Sequence, residues 1–437
     1  QESLVDEFLE GEAPSLEADN SVDELEAMEE IDESLPSVDV KSIFDGFDSE
    51  IVASVDEEAL DYLLTSGVTK LWAVVYRDPE AVDQVLTELK GLKSRYYGEQ
   101  LRAKFISEYQ AAKKLPIPKG YSFKNKDGSR IPPNLMQRHV ASLIRAKRRV
   151  GNWSGTGAGK TLSAILGSRV IKSSLTIICC PNAVVSEWAS RIKEIYPDSD
   201  VLTKTWNPKW LGDSEYKYLV LNFEQFQLGV SHGNLSKFLR LYTPDFVVVD
   251  EIHYAKQASE DAMSTRRKNV MALISNADKL NQNLCVLGMS ATPVINNLKE
   301  GRSLIELVTS QEFPDLETTS TVPNAMRVHQ QLVRLGVRWK PHYAPKLVVE
   351  RPDVDCSEYI EDIRSLGKQS VLPLEQLLTK ARLPEIRKRI KPKTLIYTYL
   401  IKGIDRILYD ALTEDGWKVG FYSGADKSGF DGFLHGD

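Results

Sequence analysis

Three short segments hold the residues whose types and spacing could do chemistry. In VGNWSGTGAGKTLSAIL a glycine-rich turn lies between Val150 and a helix starting near Lys160. Gly155, Gly157 and Gly159 let successive backbone N–H groups turn inward around phosphate oxygens, and the helix start adds partial positive charge. Lys160 is placed to reach β- and γ-phosphates and Thr161 to hold Mg2+. The expected cradle is Ser154, Gly155, Thr156, Gly157, Ala158, Gly159, Lys160 and Thr161. The strict pattern wants glycine where this chain has Ser154, and a chance glycine loop is the bland alternative.

The second segment is DFVVVDEIHYAKQ. Its apolar run drives a strand into a sheet and delivers Asp250 and Glu251 at the carboxyl edge, where ligands of open α/β sheets bind. Adjacent buried carboxylates are expensive without a compensating cation. Asp250 is therefore expected to hold Mg2+ and Glu251 to polarise an attacking water. A strand ending in a solvated acidic turn is the alternative. His253 reads either as a polar spacer or as a link to the third segment, CVLGMSATPVINN, where an apolar run stops at Ser290, Ala291 and Thr292.

These segments need elements to hold them. LTIICC, KYLVLN, DFVVVD and CVLGMS are continuous apolar runs suited to a parallel sheet covered on both faces. Helical periodicity runs from about residue 50 to 114, with Asp78, Pro79 and Glu80 as a helix start. LPIPKGYSFKNKDGSRIPP reads as a linker or short hairpin turning at KDGS. KTLIYTYL and KVGFYSG are expected to be strands flanking the helix KGIDRILYDALTED. The expected organisation is an acidic flexible leader over 1–48, a helical accessory domain over 49–115, a phosphate-loop α/β lobe over 116–310, a connection over 311–345 and a second α/β unit over 346–437.

Charge is unevenly spread. Residues 1–60 hold 21 acidic residues against Lys41 alone, leaving 54 Lys/Arg and 41 Asp/Glu of the totals 55 and 62 for the rest. The leader reads as a solubilising tail or as a polyanion mimic shielding a basic surface. The four cysteines show no CxxC spacing and read as buried thiols in a reducing compartment. No apolar run approaches the length of a membrane span, and no secretory signal is expected.

With SGTGAGKT, DEIH and SATP in this order, the chain resembles superfamily 2 helicases and translocases of the DEAD/H type. The finer likeness is to the SWI/SNF-like branch that moves on double-stranded DNA. NLMQRHVASLI resembles the opening motif, TIICCPNAVVSEWASRI motif Ia with Pro181 and Trp188, and VLNFEQF motif Ib. Lys256 and the paired Asn296 and Asn297 match that branch, and KTLIYTYLIKGIDRI resembles motif IV. The loop and SATP themselves are closer to general helicases.

The resemblance implies an α/β fold of two RecA-like P-loop lobes, the second incomplete, with an N-terminal helical accessory domain. It implies that Gln137 reads an adenine edge, and that Ser290, Ala291 and Thr292 couple nucleotide state to nucleic-acid grip. Backbone contacts to DNA are expected from Pro181 and Asn182, from Asn222 and from Thr398, with no membrane partner. The runs RAKRRV and STRRKN are further contact candidates or solvated helix faces. TWNPKW is either a base-stacking element or a packed insert.

The implied activity is ATP- and Mg2+-dependent translocation on nucleic acid, most readily duplex DNA. A strand-separating helicase on DNA or RNA, and an ATP-gated clamp without movement, stay open. The sequence stops before motifs V and VI of the family, so weak hydrolysis is expected of it. A cytoplasmic setting in a bacterium or phage-infected cell is expected, with a phage origin and packaging in a virion suggested by the non-Met start; a nuclear setting stays open.

Overall fold

The computed structural model of the protein describes residues 57–91, 95–125, 127–210, 213–255, 264–294, 297–341, 348–366 and 371–422, together with 429, 432 and 433. The acidic leader, Lys256 and Asn296 lie outside the described residues. The chain divides into two compact units, residues 1–343 and 344–437.

The first unit is built on a seven-stranded, wholly parallel sheet. Its strands are β1 (Arg149–Asn152), β2 (Leu175–Cys180), β3 (Asp200–Thr203), β4 (Lys217–Asn222), β5 (Phe246–Asp250), β6 (Cys285–Met289) and β7 (Gly336–Val337). The spatial order is β3-β4-β2-β5-β6-β1-β7. All four apolar runs read from the sequence are strands, each buried almost end to end.

Both faces are covered, as continuous apolar runs require. Ile178, Cys180, Val220, Val248 and Leu287 face one core. It is shared with α4 (Leu135–Lys147), α5 (Lys160–Val170) and α6 (Val185–Ile195). Their alternates Ile177, Cys179, Leu219, Leu221, Val247 and Val249 face the other. That core is closed by α7 (Ser231–Leu241), α8 (Thr265–Leu280), α9 (Leu298–Thr309) and α10 (Val322–Leu335). The side-chain period of two explains the division, because successive residues of a strand point to opposite faces. Each fully buried Val or Leu contributes roughly 1.5–3 kcal/mol.

Among the described residues three α-helices precede α4: α1 (Glu57–Arg77), α2 (Val82–Gly91) and α3 (Arg95–Lys113). The Asp78 carboxylate accepts the Glu80 N–H at 3.0 Å across Pro79, so the cap read from the sequence forms. Leu71, Val75, Leu101 and Phe105 are fully buried in a core continuous with that of α4 and the sheet. A small hairpin comes next, closed by the Lys124–Arg130 bridge with Gly128 at φ 83°.

The span 311–345 supplies α10 and the edge strand β7, so the sheet extends through residues read as a connection. Two residues are too few to show a strand pattern in sequence. Gly336 is required there by close approach. A Cβ on it would lie 1.6 Å from the Gly151 carbonyl oxygen across the β1–β7 pair.

Strand register decides the site. Asn152 pairs with Met289, Met289 with Asp250, and Asn152 on its other side with Val337. Cys179 pairs with Val249 and Cys180 with Asn222. The strands therefore end along one carboxyl edge, from which the glycine loop, the acidic turn and the SATP turn all emerge.

The second unit contains α11 (Ile360–Ser365), α12 (Val371–Arg389) and α13 (Ile404–Glu414). α12 and α13 pack together, burying Ala381, Ile404, Leu408 and Leu412. Here the structure corrects the sequence reading. KTLIYTYL and KVGFYSG are not strands among the described residues, and Leu395, Tyr397 and Tyr399 are 75%, 84% and 89% exposed. A strand pattern becomes a strand only when a neighbour takes up its backbone N–H and C=O groups. Among the described residues of this unit the Phe421 carbonyl accepts the Gly429 N–H at 3.1 Å, and no ladder forms.

Candidate nucleotide site

Val150 lies fully buried in β1, and Asn152 at the end of that strand organises the glycine loop. Its amide donates to Ser163 Oγ at 3.0 Å, and its Oδ1 accepts the Ser154 N–H at 3.2 Å. Gly157 and Gly159 then adopt φ of 72° and 81°, a left-handed conformation that side chains disfavour. Gly159 also has no room to spare, since a Cβ would lie 2.3 Å from Gln137 Nε2. The loop ends on the first turn of α5, directing N–H groups and the helix dipole toward one point.

Lys160 opens α5 and folds back over the loop, its Nζ donating to the Ser154 and Gly155 carbonyls at 3.0 and 3.1 Å. Burial pulls its pKa down, while the charges of Glu251 and Asp250 oppose that. The glycine loop and the acidic turn leave the same carboxyl edge, from β1 and β5 on either side of β6. Thr161 comes next on the same turn, half-buried.

Asp250 ends β5. Its Oδ2 accepts the Trp188 indole N–H at 2.9 Å and its Oδ1 the Glu251 N–H at 3.0 Å. Burial raises its pKa to about 6, with Trp188 working against the shift. Glu251 stands at φ 47°, unusual for a residue with a side chain. Its Oε2 lies 3.3 Å from His253 Nδ1, and that contact holds the carboxyl below its usual range. His253 Nδ1 also lies 3.1 Å from Ser290 Oγ, which accepts the Thr292 N–H at 3.1 Å. Ser290 is fully buried, Ala291 half-buried and Thr292 exposed. Asn297 caps α9 by accepting the Glu300 N–H at 3.1 Å.

Gln137 sits beside the loop. Its Oε1 accepts the Asn134 N–H at 2.8 Å and its Nε2 donates to the Gly159 carbonyl at 3.3 Å. The carboxamide thus completes a capping box on α4 and braces the loop. Pro181 and Asn182 lie just past β2 in a short 3-10 turn, and Asn222 ends the adjacent β4. Asn222 Nδ2 lies 3.4 Å from Asn182 Oδ1 and 2.7 Å from Glu224 Oε2, so those two asparagines meet. Thr398 belongs to the second unit, half-buried in a stretch without regular secondary structure.

The donor set fits Mg2+ with a nucleoside triphosphate. Among the described residues no cluster of three His, Cys, Asp or Glu could hold a metal. Mg2+ is commonly bound through one or two carboxylates, retaining waters and phosphate oxygens as its other ligands. Asp250 and the Thr161 hydroxyl are suitable protein ligands, with Lys160 and the loop amides for phosphate.

Residues 80–295, just under half of the chain, match the family model described as type III restriction enzyme, res subunit. Match and geometry together support a superfamily 2 helicase-like ATPase. Among solved structures, the chain is similar to the Sulfolobus solfataricus SWI2/SNF2 ATPase core in complex with dsDNA. That similarity has 13% identity and a TM-score of 0.38, covering 68% of this chain and 67% of that one. No curated protein matches the chain.

Several residues here make contacts that the sequence does not announce. Ser154, the departure from the strict pattern, is fully buried, and its Oγ accepts the Trp339 N–H at 3.1 Å. With Gly155 N–H on the Trp339 carbonyl at 2.8 Å, this ties the loop to the strap after β7. In STRRKN, Arg267 is buried and donates to the Ala255 and Ser303 carbonyls at 3.1 and 2.9 Å, so it braces the acidic turn against α9. Its neighbour Arg266 lies over the Phe223 and Tyr254 rings. Trp206 packs edge-on against Phe226 and Phe238, making TWNPKW a packed insert.

Proposed function

We propose that this protein is an ATP-dependent nucleic-acid translocase that couples ATP hydrolysis to movement along DNA, duplex DNA foremost. The observation that carries the reading is the common edge of β1, β6 and β5. It brings the Lys160 loop, the Asp250–Glu251 pair and the Ser290 turn together. Mg2+ supplies charge neutralisation and orients phosphate oxygens when bound. Thr161 and Asp250 are the residues to hold it, Lys160 and the loop amides to bind the β- and γ-phosphates, and Glu251 to orient water. Gln137, at the loop's flank, is the residue to read the base.

The Glu251–His253–Ser290 chain supports coupling between hydrolysis and grip. A change in the acidic turn reaches the SATP segment through two contacts. The neighbouring strand ends carry Pro181, Asn182 and Asn222, proposed contacts to the DNA backbone. Thr398 is proposed as a contact from the second unit, and RNA as an alternative polymer. The division into leader, accessory domain and two lobes belongs to the same proposal, as does a cytoplasmic setting in a bacterium or a phage-infected cell.

ATPase activity measured without polymer and with single-stranded DNA, duplex DNA or RNA tests this. Stimulation by duplex DNA, with displacement of a triplex strand but no duplex unwinding, is the expected result. Unwinding would favour a strand-separating helicase. ATP-dependent binding without either would favour a clamp.

A further inference from the structure

We propose that Trp188 is a positioning residue for magnesium: its buried indole fixes the Asp250 carboxylate in the orientation that receives the metal–nucleotide. The inference rests on the reading of this edge as a nucleotide site and deepens it.

α6 buries Val185, Trp188, Ile192 and Ile195 along one face, so hydrophobic spacing alone accounts for a large apolar residue at position 188. It does not account for the polar end of that residue. A buried indole N–H usually finds an acceptor, though those of Trp206 and Trp210 have none here. Trp153 uses a backbone carbonyl, that of Leu332 at 2.7 Å. Trp188, 2% exposed, uses the side chain of Asp250.

The choice of donor matters chemically. Lys or Arg at this position would neutralise the carboxylate that the metal needs. An indole holds the oxygen without adding charge. The other oxygen is held by the Glu251 N–H, so the carboxylate is pinned at both ends. Each carboxylate oxygen can accept twice, which leaves a lone-pair direction on each for a cation. A group already oriented loses less freedom on binding. The helix that carries Trp188 starts at the Asn182–Val184 turn, so the pin also spans from that turn to the acidic strand end.

The test uses the 437-residue chain and fluorescently labelled ADP, titrated in EDTA and then against Mg2+. Two variants are compared: Trp188→Phe, and position 188 carrying benzothienylalanine, which keeps the shape and replaces the N–H by sulfur. Binding in EDTA is expected to stay within about twofold of wild type. The Mg2+ concentration giving half of the metal-dependent tightening is expected to rise by more than about tenfold in both variants, the worth of one hydrogen bond to a charged group. A residue needed only for packing would lower thermal stability in Trp188→Phe and leave the Mg2+ dependence alone. An unchanged Mg2+ midpoint in the benzothienyl variant overturns the proposal, whether or not Trp188→Phe folds. If wild type binds no nucleotide, or binds it without regard to Mg2+, the nucleotide-site reading falls and this inference with it. A strong Mg2+ dependence shared equally by wild type and the benzothienyl variant removes the role of Trp188 alone.

Discussion

His253 Nδ1 lies 3.1 Å from Ser290 Oγ and 3.3 Å from Glu251 Oε2, so one imidazole nitrogen joins the acidic turn to the SATP turn. Ser290 is fully buried, and its hydroxyl also accepts the Thr292 N–H. Replacing Ser290 and Thr292 together by Ala removes that hydroxyl and leaves the phosphate loop untouched. Nucleotide affinity is expected to stay within about twofold, while stimulation by DNA falls about fivefold, the worth of one hydrogen bond. Unchanged stimulation in steady-state ATPase assays would show that the signal takes another route.

Lys160 and Glu251 are expected to fail in different ways. Lys160→Ala removes the cation that meets phosphate, so both binding and turnover collapse, the latter by about 10²–10³. Glu251→Gln keeps the shape and loses the base, so binding persists while kcat falls about 10²–10⁴. Equilibrium binding and single-turnover hydrolysis separate the two. A Glu251→Gln enzyme that hydrolyses normally would end the assignment of Glu251 to water.

The difference between what is legible in the sequence and what is not comes down to range. The buried strands are legible because an apolar run bounded by polar residues is a local signal, and the glycine cradle because its chemistry lies in eight consecutive residues. Register is not legible. Nothing in DFVVVD or CVLGMS states that Asp250 pairs with Met289. The same holds for Trp188 on Asp250 and Trp339 on Ser154, each a contact between residues far apart in sequence. Gln137 shows a third case. Its spacing from Asn134 makes a capping box that is local and readable, and the resemblance to a base-reading glutamine hides it. In the second unit the reading fails for the opposite reason. Tyr397 and Tyr399 sit in a strand-like pattern, and no described neighbour completes the ladder.

Asp250 gives a pH prediction with a definite sign. Burial raises its carboxyl to about 6, above the value of an exposed aspartate. The folded state therefore holds the proton more tightly than the unfolded state, and the penalty for ionising it builds as pH rises from the unfolded value to about 6 and is complete above that. Below the unfolded value the penalty is absent. Asp250→Asn is accordingly expected to be more stable than wild type at about pH 7.5 without nucleotide, by at most ~3 kcal/mol, and equal to it near about pH 4. The same change removes the metal ligand and abolishes turnover. Denaturant unfolding at the two pH values checks this. A variant less stable than wild type at the higher pH would mean that the hydrogen bonds from Trp188 and Glu251 outweigh burial.

Ser154 offers the converse test, because there the chain departs from the strict phosphate-loop pattern and the pattern residue should do harm. Its side chain is fully buried and accepts the Trp339 N–H at 3.1 Å, joining the loop to the strap beyond β7. Ser154→Gly leaves that N–H without its acceptor, at a cost of about 1–3 kcal/mol, and adds backbone freedom worth up to about 1 kcal/mol. Ser154→Ala carries the first cost without the second. Both are expected to lower the thermal midpoint by a few degrees, Gly more than Ala, and neither to tighten nucleotide binding. Calorimetric unfolding alongside nucleotide titration gives both quantities. Were Ser154→Gly as stable as wild type with tighter nucleotide binding, the hydroxyl would be a tolerated deviation and the strap would have no hold on the loop.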